Sequence, residues 1–259
     1  MEQNLSTEPT SQSQLPTQEQ LDNILKFDTC TIANAIECFG VRLCNEGFTR
    51  PGLSCLTGTN ERILGYAATF QVRSINPPII GGSFTERNDW CSEFERVPRP
   101  RIAVFENMSE DDVGGGAGGG AGEVHVAILK AFGCDGLITD GAVCNLQRLK
   151  KMGLPVFAKS LTVSNSYMHI VGFGSSIEIM GLEVKQGDLL YADCHGVLSI
   201  PIDIVAELPA VAERILQENQ AIIEACQAPG FSPKMLLTIG RCHESCRKLS
   251  KDLSRLSRL

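Results

Sequence analysis

The stretch GEVHVAILKAFGCDGLITDGAVCN, residues 122–145, decides the fold. From Glu123 to Phe132 apolar residues recur at helical spacing (Val124, Ile128, Leu129, Phe132), and Gly133 suits the end of that helix. Gly136 to Thr139 then reads as a short strand, followed by Asp140-Gly141-Ala142-Val143. A run of glycine and alanine, Gly114 to Gly122, leads into the helix. Backbone amides freed of side chains and aimed at the positive end of a helix form an anion site for a phosphate or carboxylate. No Gly-Lys-Ser/Thr follows, which excludes a P-loop. Gly114, Gly116 and Gly119 have dinucleotide-loop spacing, but a run this rich in glycine satisfies almost any such pattern. A linker or lid is the alternative use of the run.

Working outward, Ile63 to Val72 and Ile102 to Phe105 read as strands before the glycine run. Between them Arg73 to Arg101 is polar and proline-bearing and holds the single tryptophan, Trp90. It reads as a surface insertion or as an excursion over the active site. After the decisive stretch, short strand signals follow at Val156 to Ala158, His169 to Phe173, Ser176 to Ile179, Leu189 to Ala192 and Val197 to Ile200. That density indicates a mixed or barrel-like sheet layer with helices on one side. Helical spacing marks Thr17 to Phe27 and Thr29 to Phe39, the second capped by Asp28 or Thr29 and ended by Gly40. A last long helix spans roughly Asp203 to Ala225, where Pro209 marks a kink or a true start near Leu208.

Three segments are expected: a disordered tail over 1–17, one domain over 18–228 and a helical extension over 229–259 with leucines among basic residues. The net charge of −7 gives no general attraction to nucleic acid or anionic membrane, and no apolar window is long enough to span a bilayer. These features predict a cytoplasmic protein, with no membrane partner and no direct nucleic-acid partner. The 11 cysteines read as reduced thiols.

Five segments in order resemble the RraA-like and 4-hydroxy-4-methyl-2-oxoglutarate aldolase family. They are Gly122-Glu123 opening a helix, Asp140-Gly141-Ala142-Val143, Leu154-Pro155-Val156-Phe157-Ala158, Val184-Lys185-Gln186-Gly187-Asp188, and Ala192-Asp193-Cys194-His195-Gly196-Val197. The similarity runs from about Leu21 to Ala225. It implies an α/β fold, a three-layer β/β/α swivelling domain with mixed sheets and helices at the N- and C-termini, assembled as a homotrimer. It further implies a small 2-oxo acid substrate and a divalent metal ion, usually magnesium, that stabilises a pyruvate enolate.

In that family the decisive strand ends in Asp-Gly-Ala-Val-Arg-Asp with another acid three residues on; the arginine holds a substrate carboxylate and the aspartate helps bind the metal. Here those positions are Cys144, Asn145 and Arg148. The resemblance therefore leaves Asn145 and, through water, Glu123 as metal ligands. It sets the substrate against Gly120, Gly122, Glu123, Val124, His125 and Cys144, with Glu123, Cys144 and Arg148 as catalytic candidates. Arg148 replaces the missing guanidinium from one turn away if Asn145 to Lys151 is helical; otherwise it is a solvated surface residue. Cys144 is a nucleophile if a helix start and Arg148 depress its pKa, or else a small residue filling the arginine's space. His195 stands where the family often has an acid, but no zinc-ligand spacing surrounds it in the chain; Cys242, His243 and Cys246 lie close together in the tail. Three functions follow: a carbon–carbon lyase releasing pyruvate, an enzyme of changed reaction, or a non-catalytic regulator of an RNA-degrading enzyme.

Overall fold

The computed structural model describes residues 15–58, 61–78, 89–108 and 121–232. Most of the glycine run, Gly120 included, and the extension beyond 232 lie outside them. Four parallel strands form the centre: β2 (Ile63–Arg73), β3 (Arg101–Asn107), β4 (Gly136–Val143) and β5 (Val156–Leu161). The short β1 (Ser54–Cys55) pairs antiparallel with β5 at one edge. The other side of β2 is shared by two antiparallel partners, β9 (Leu189–Asp193) along its first half and β6 (His169–Phe173) along its second, and β10 (Gly196–Ile200) completes that edge. The sheet is therefore mixed, as the density of strand signals implies.

Alternation along the central strands builds two cores. Tyr66, Ala68, Phe70, Ala103 and Phe105 face a core shared with the helices, whereas Ala67, Ile102, Val104 and Ile138 face a second core. That second core is closed by the hairpin of β7 (Ile177–Ile179) and β8 (Leu182–Val184), which turns through Met180 and Gly181 at φ 48° and 83°. Two positive φ angles match the twist of a two-residue hairpin. Helices, main sheet and hairpin are the three layers.

The helices begin and end where their capping residues stand. Thr17 and Gln20 form a reciprocal capping box at α1 (Gln18–Ile24); the Asp28 side chain accepts from the Thr31 amide at α2 (Thr29–Phe39), and Gly40 closes α2 in the left-handed region. Pro209 lies in the first turn of α6 (Leu208–Gln227), so it starts the helix and does not kink it. The polar segment before β3 departs from the surface insertion that composition suggests. Part of it is α3 (Asp89–Arg96), whose Trp90 and Phe94 are buried in an aromatic cluster with Phe70 and Phe132. Its high charge conceals this because only two residues per two turns face inward.

Candidate functional site at the carboxyl ends of the parallel strands

The parallel strands β3, β4 and β5 end on one side of the sheet, where a crevice outside their carboxyl ends is a common place for a ligand. Within β4 the register with β5 shifts between Thr139 and Ala142, and the Gly141 amide donates to Thr139 Oγ1 at 3.0 Å. This bulge re-aims the chain beside the crevice. Asp140, at the bulge, accepts the Asn107 amide at 2.8 Å. Burial, with Glu106 adding to it, pushes the Asp140 carboxyl up to about 6.

Ala121 bridges Val143, which brings the start of α4 (Glu123–Ala131) against the end of β4. A side chain at Gly122 would crowd the site, since a Cβ would lie 3.0 Å from Cys144 Sγ and 3.3 Å from Asn165 Oδ1. His125 Nδ1 accepts the Gly122 amide at 3.2 Å, and burial lowers the His125 pKa, so the ring is a neutral cap within the first turn. Docked in this way, α4 buries Val126 and Leu129 and turns Val124 outward, which corrects the apolar face read from spacing.

Asn145, in the left-handed region at φ 56°, links β4 to α5 (Leu146–Met152). Asparagine tolerates that conformation better than most residues. The helix makes Arg148 the residue one turn in, and its Nη1 lies 2.7 Å from Glu123 Oε1. The Asn145 amide donates to the other Glu123 oxygen. These bonds, together with the carboxylate's own backbone amide, hold Glu123 below the usual range; the backbone bond contributes most. Cys144 is buried, its thiol donates to Asn165 Oδ1 at 2.6 Å, and burial with the Glu123 charge raises its pKa. A protonated, donating thiol is a packing residue in this arrangement, which speaks against Cys144 as a nucleophile.

Of the residues singled out in the sequence, Gly122, Glu123, His125, Cys144, Asn145 and Arg148 are therefore brought together. Val124 belongs to the same turn but faces solvent, and His195 lies elsewhere. Asp140 enters the sequence reading only as part of a motif, with no site role, and Asn165 does not enter it. Asn165 sits in a loop after β5 with no motif around it, and the shifted titration of Asp140 arises from burial that only the fold creates.

Glu123 and Asn145 are the oxygen-bearing side chains here that could hold a divalent cation. Magnesium takes about six oxygens, often one or two carboxylates with the rest water and substrate. Glu123 and the Asn145 carbonyl are two oxygens of that kind, but the Arg148 guanidinium already rests on Glu123. Arg148 is 73% exposed, so its displacement costs little packing.

A family model described as RraA-like (Aldolase/RraA) matches residues 29–199. An uncharacterized protein of Methanocaldococcus jannaschii is 23% identical over 207 residues, covering 78% of this chain and 91% of its own. A provisionally named 4-hydroxy-4-methyl-2-oxoglutarate aldolase of Halalkalibacterium halodurans is 27% identical over 157 residues, 58% of this chain and 68% of its own. Among solved structures, a Streptomyces coelicolor protein described as an unusual member of the RNase ES inhibitor RraA family aligns with a TM-score of 0.60 at 17% identity, covering 83% of this chain and 99% of that one.

Proposed function

The chain belongs to the RraA-like family, and from that premise we propose that it is a carbon–carbon lyase of the aldolase or decarboxylase type, which cleaves a small 2-oxo acid to pyruvate. The observation that carries this reading is Arg148 on Glu123: a guanidinium stands beside the α4 N-terminus although the position after Val143 is a cysteine. Helix formation from Leu146 supplies the fork from one turn away, as carboxylate recognition requires.

In this reading Arg148 exchanges Glu123 for the substrate carboxylate, while the first amides of α4 face the developing negative charge. Gly122 keeps that approach free of a side chain, and buried Cys144, bonded to the exposed Asn165, lies beneath it. A magnesium ion, when bound, supplies further positive charge to the 2-oxo group, with Glu123 and the Asn145 carbonyl as the residues that would hold it. Both assignments, and assembly as a homotrimer, are proposals. They are supported by the family and by the relative provisionally named as an aldolase.

The test is pyruvate release from 4-hydroxy-4-methyl-2-oxoglutarate and from oxaloacetate by the full chain at saturating magnesium. We expect slow, magnesium-stimulated release. Arg148→Ala should lower kcat/KM by roughly ten- to a hundredfold, the worth of one charge-assisted hydrogen bond. Cys144→Arg combined with Asn145→Asp should raise the rate. No release by either the parent or this double variant overturns the proposal.

The Arg148–Glu123–Asn145 contact also favours a second reading, in which a self-satisfied crevice serves a non-catalytic regulator of an RNA-degrading enzyme. An unchanged nuclease rate on adding the protein would remove it.

A further inference from the structure

A second cluster lies at the opposite end of the parallel strands, where Ala192 of β9 pairs with Ile63 at the start of β2. The β9–β10 hairpin turns through Cys194 and His195, between Asp193 and Gly196. Asp193 ties this turn to the start of α2: its two carboxylate oxygens accept the Thr29 hydroxyl at 2.7 Å and the Thr29 amide at 2.9 Å. The tie brings Cys30, the next residue of α2, to the same place. Cys30, Glu37, Cys44, Phe48 and His195 all line one pocket of about 290 Å³.

The histidine is oriented for a ligand. Its Nδ1 lies 3.0 Å from Asp193 Oδ1, and Asp193 is buried while half of the His195 side chain is exposed. Asp193 accepts from the Thr29 hydroxyl and amide and from the His195 amide, so its Oδ1 faces Nδ1 as an acceptor and leaves Nε2 for a ligand, the carboxylate–histidine arrangement that supports metal-bound imidazole. Cys194 Sγ lies beside the imidazole, 3.5 Å from Nδ1 and 3.9 Å from Nε2, so reaching an ion on Nε2 requires the thiol to turn toward that side of the ring. Two ligands of one tetrahedral zinc, with bonds of about 2.3 Å to sulfur and about 2.0 Å to nitrogen, stand roughly 3.5 Å apart, a separation that rotation of the exposed Cys194 side chain can meet. The donor atoms of Asp193, Cys194 and His195 all lie within 4.8 Å of one another.

We infer that Cys194 and His195, with Cys30 swung in from the pocket wall beside His195, form a binding site for a zinc-class divalent ion, with Asp193 orienting the imidazole and a fourth coordination position open to the pocket. Two thiols and an imidazole suit zinc better than magnesium. Binding converts both thiols to thiolates and releases their two protons to solvent. The open position, facing Phe48 and Cys44, gives a metal-bound water or small anion room in the pocket. This site is independent of the Glu123 crevice and of the reaction proposed there.

The test is titration of the full chain, reduced and stripped of metal, with cobalt(II), followed by displacement with zinc. One equivalent should produce a thiolate-to-cobalt charge-transfer band in the near ultraviolet and the visible bands of tetrahedral cobalt. His195→Ala and the Cys30→Ser/Cys194→Ser pair should each weaken binding at least tenfold and abolish or alter those bands. Glu123→Gln, and Cys242→Ser with Cys246→Ser in the tail, should leave them intact. Circular dichroism checks that the exposed-site variants remain folded. A parent protein with no charge-transfer band overturns the inference. So do bands that survive Cys30→Ser/Cys194→Ser, or that vanish with Cys242→Ser/Cys246→Ser.

Discussion

At residue 140 a carboxyl meets a bulge, and its surroundings decide its charge. The folded pKa of about 6 lies above the ordinary value of 3.8 because burial disfavours the carboxylate. The group's contribution to stability is thus fully present below pH 3.8 and is lost as pH rises through about 6. Asp140→Asn keeps an acceptor for the Asn107 amide and removes the charge. Urea unfolding is expected to show little difference near pH 4 and stabilisation on the order of 2 kcal/mol near pH 8. Stabilisation of equal size at both pH values would show that charge is not the cause. The same scale separates Cys144 from Arg148. The sequence leaves open whether each is chemical or structural, and hydrogen bonding answers differently: the thiol is spent on Asn165, while the guanidinium reaches the crevice.

At the scale of elements, most of the layout is legible in local signals. α2 spans the eleven residues its spacing and caps predict, and β6 spans the expected five. Two short strands escape, β1 with two residues and β8 with three, because so few residues carry no measurable alternation. α3 is the larger departure. Its charged sequence has no strong apolar signal, yet Trp90 packs edge-on against Phe70 at 5.6 Å and Phe132 at 5.5 Å. The helix is held by that one side. Trp90→Ala is therefore expected to lower the unfolding free energy by about 3–5 kcal/mol, read as a fall in denaturant midpoint with an unchanged slope. A loss below about 1 kcal/mol would mean that α3 docks without it.

At the scale of the whole molecule, a single domain over residues 18–228 is a proposal that truncation tests. α6 ends at Gln227, and α1 begins at Gln18, but Thr17 supplies its capping box. A chain of residues 17–228 is expected to melt with the full protein. One of residues 18–228 should melt a few degrees lower, since a lost N-cap costs about 1 kcal/mol and that shifts a domain of this size by roughly 2–4 °C. Equal melting of the two would show that the cap contributes nothing. No helix among the described residues is long and apolar enough to cross a membrane, as the hydropathy pattern implies. The sequence by itself determined the order of most elements, the mixed α/β class and the family, because capping residues, glycines and apolar periods act over a few neighbouring positions. Only the tertiary structure decided which side chains meet. Arg148 of α5 reaches Glu123 of α4, and Asp193 reaches Thr29 across 164 residues, which sets Cys30 in the same pocket as His195. Such meetings depend on strand register and helix docking, which are set by the packing of two cores and leave no trace in local spacing.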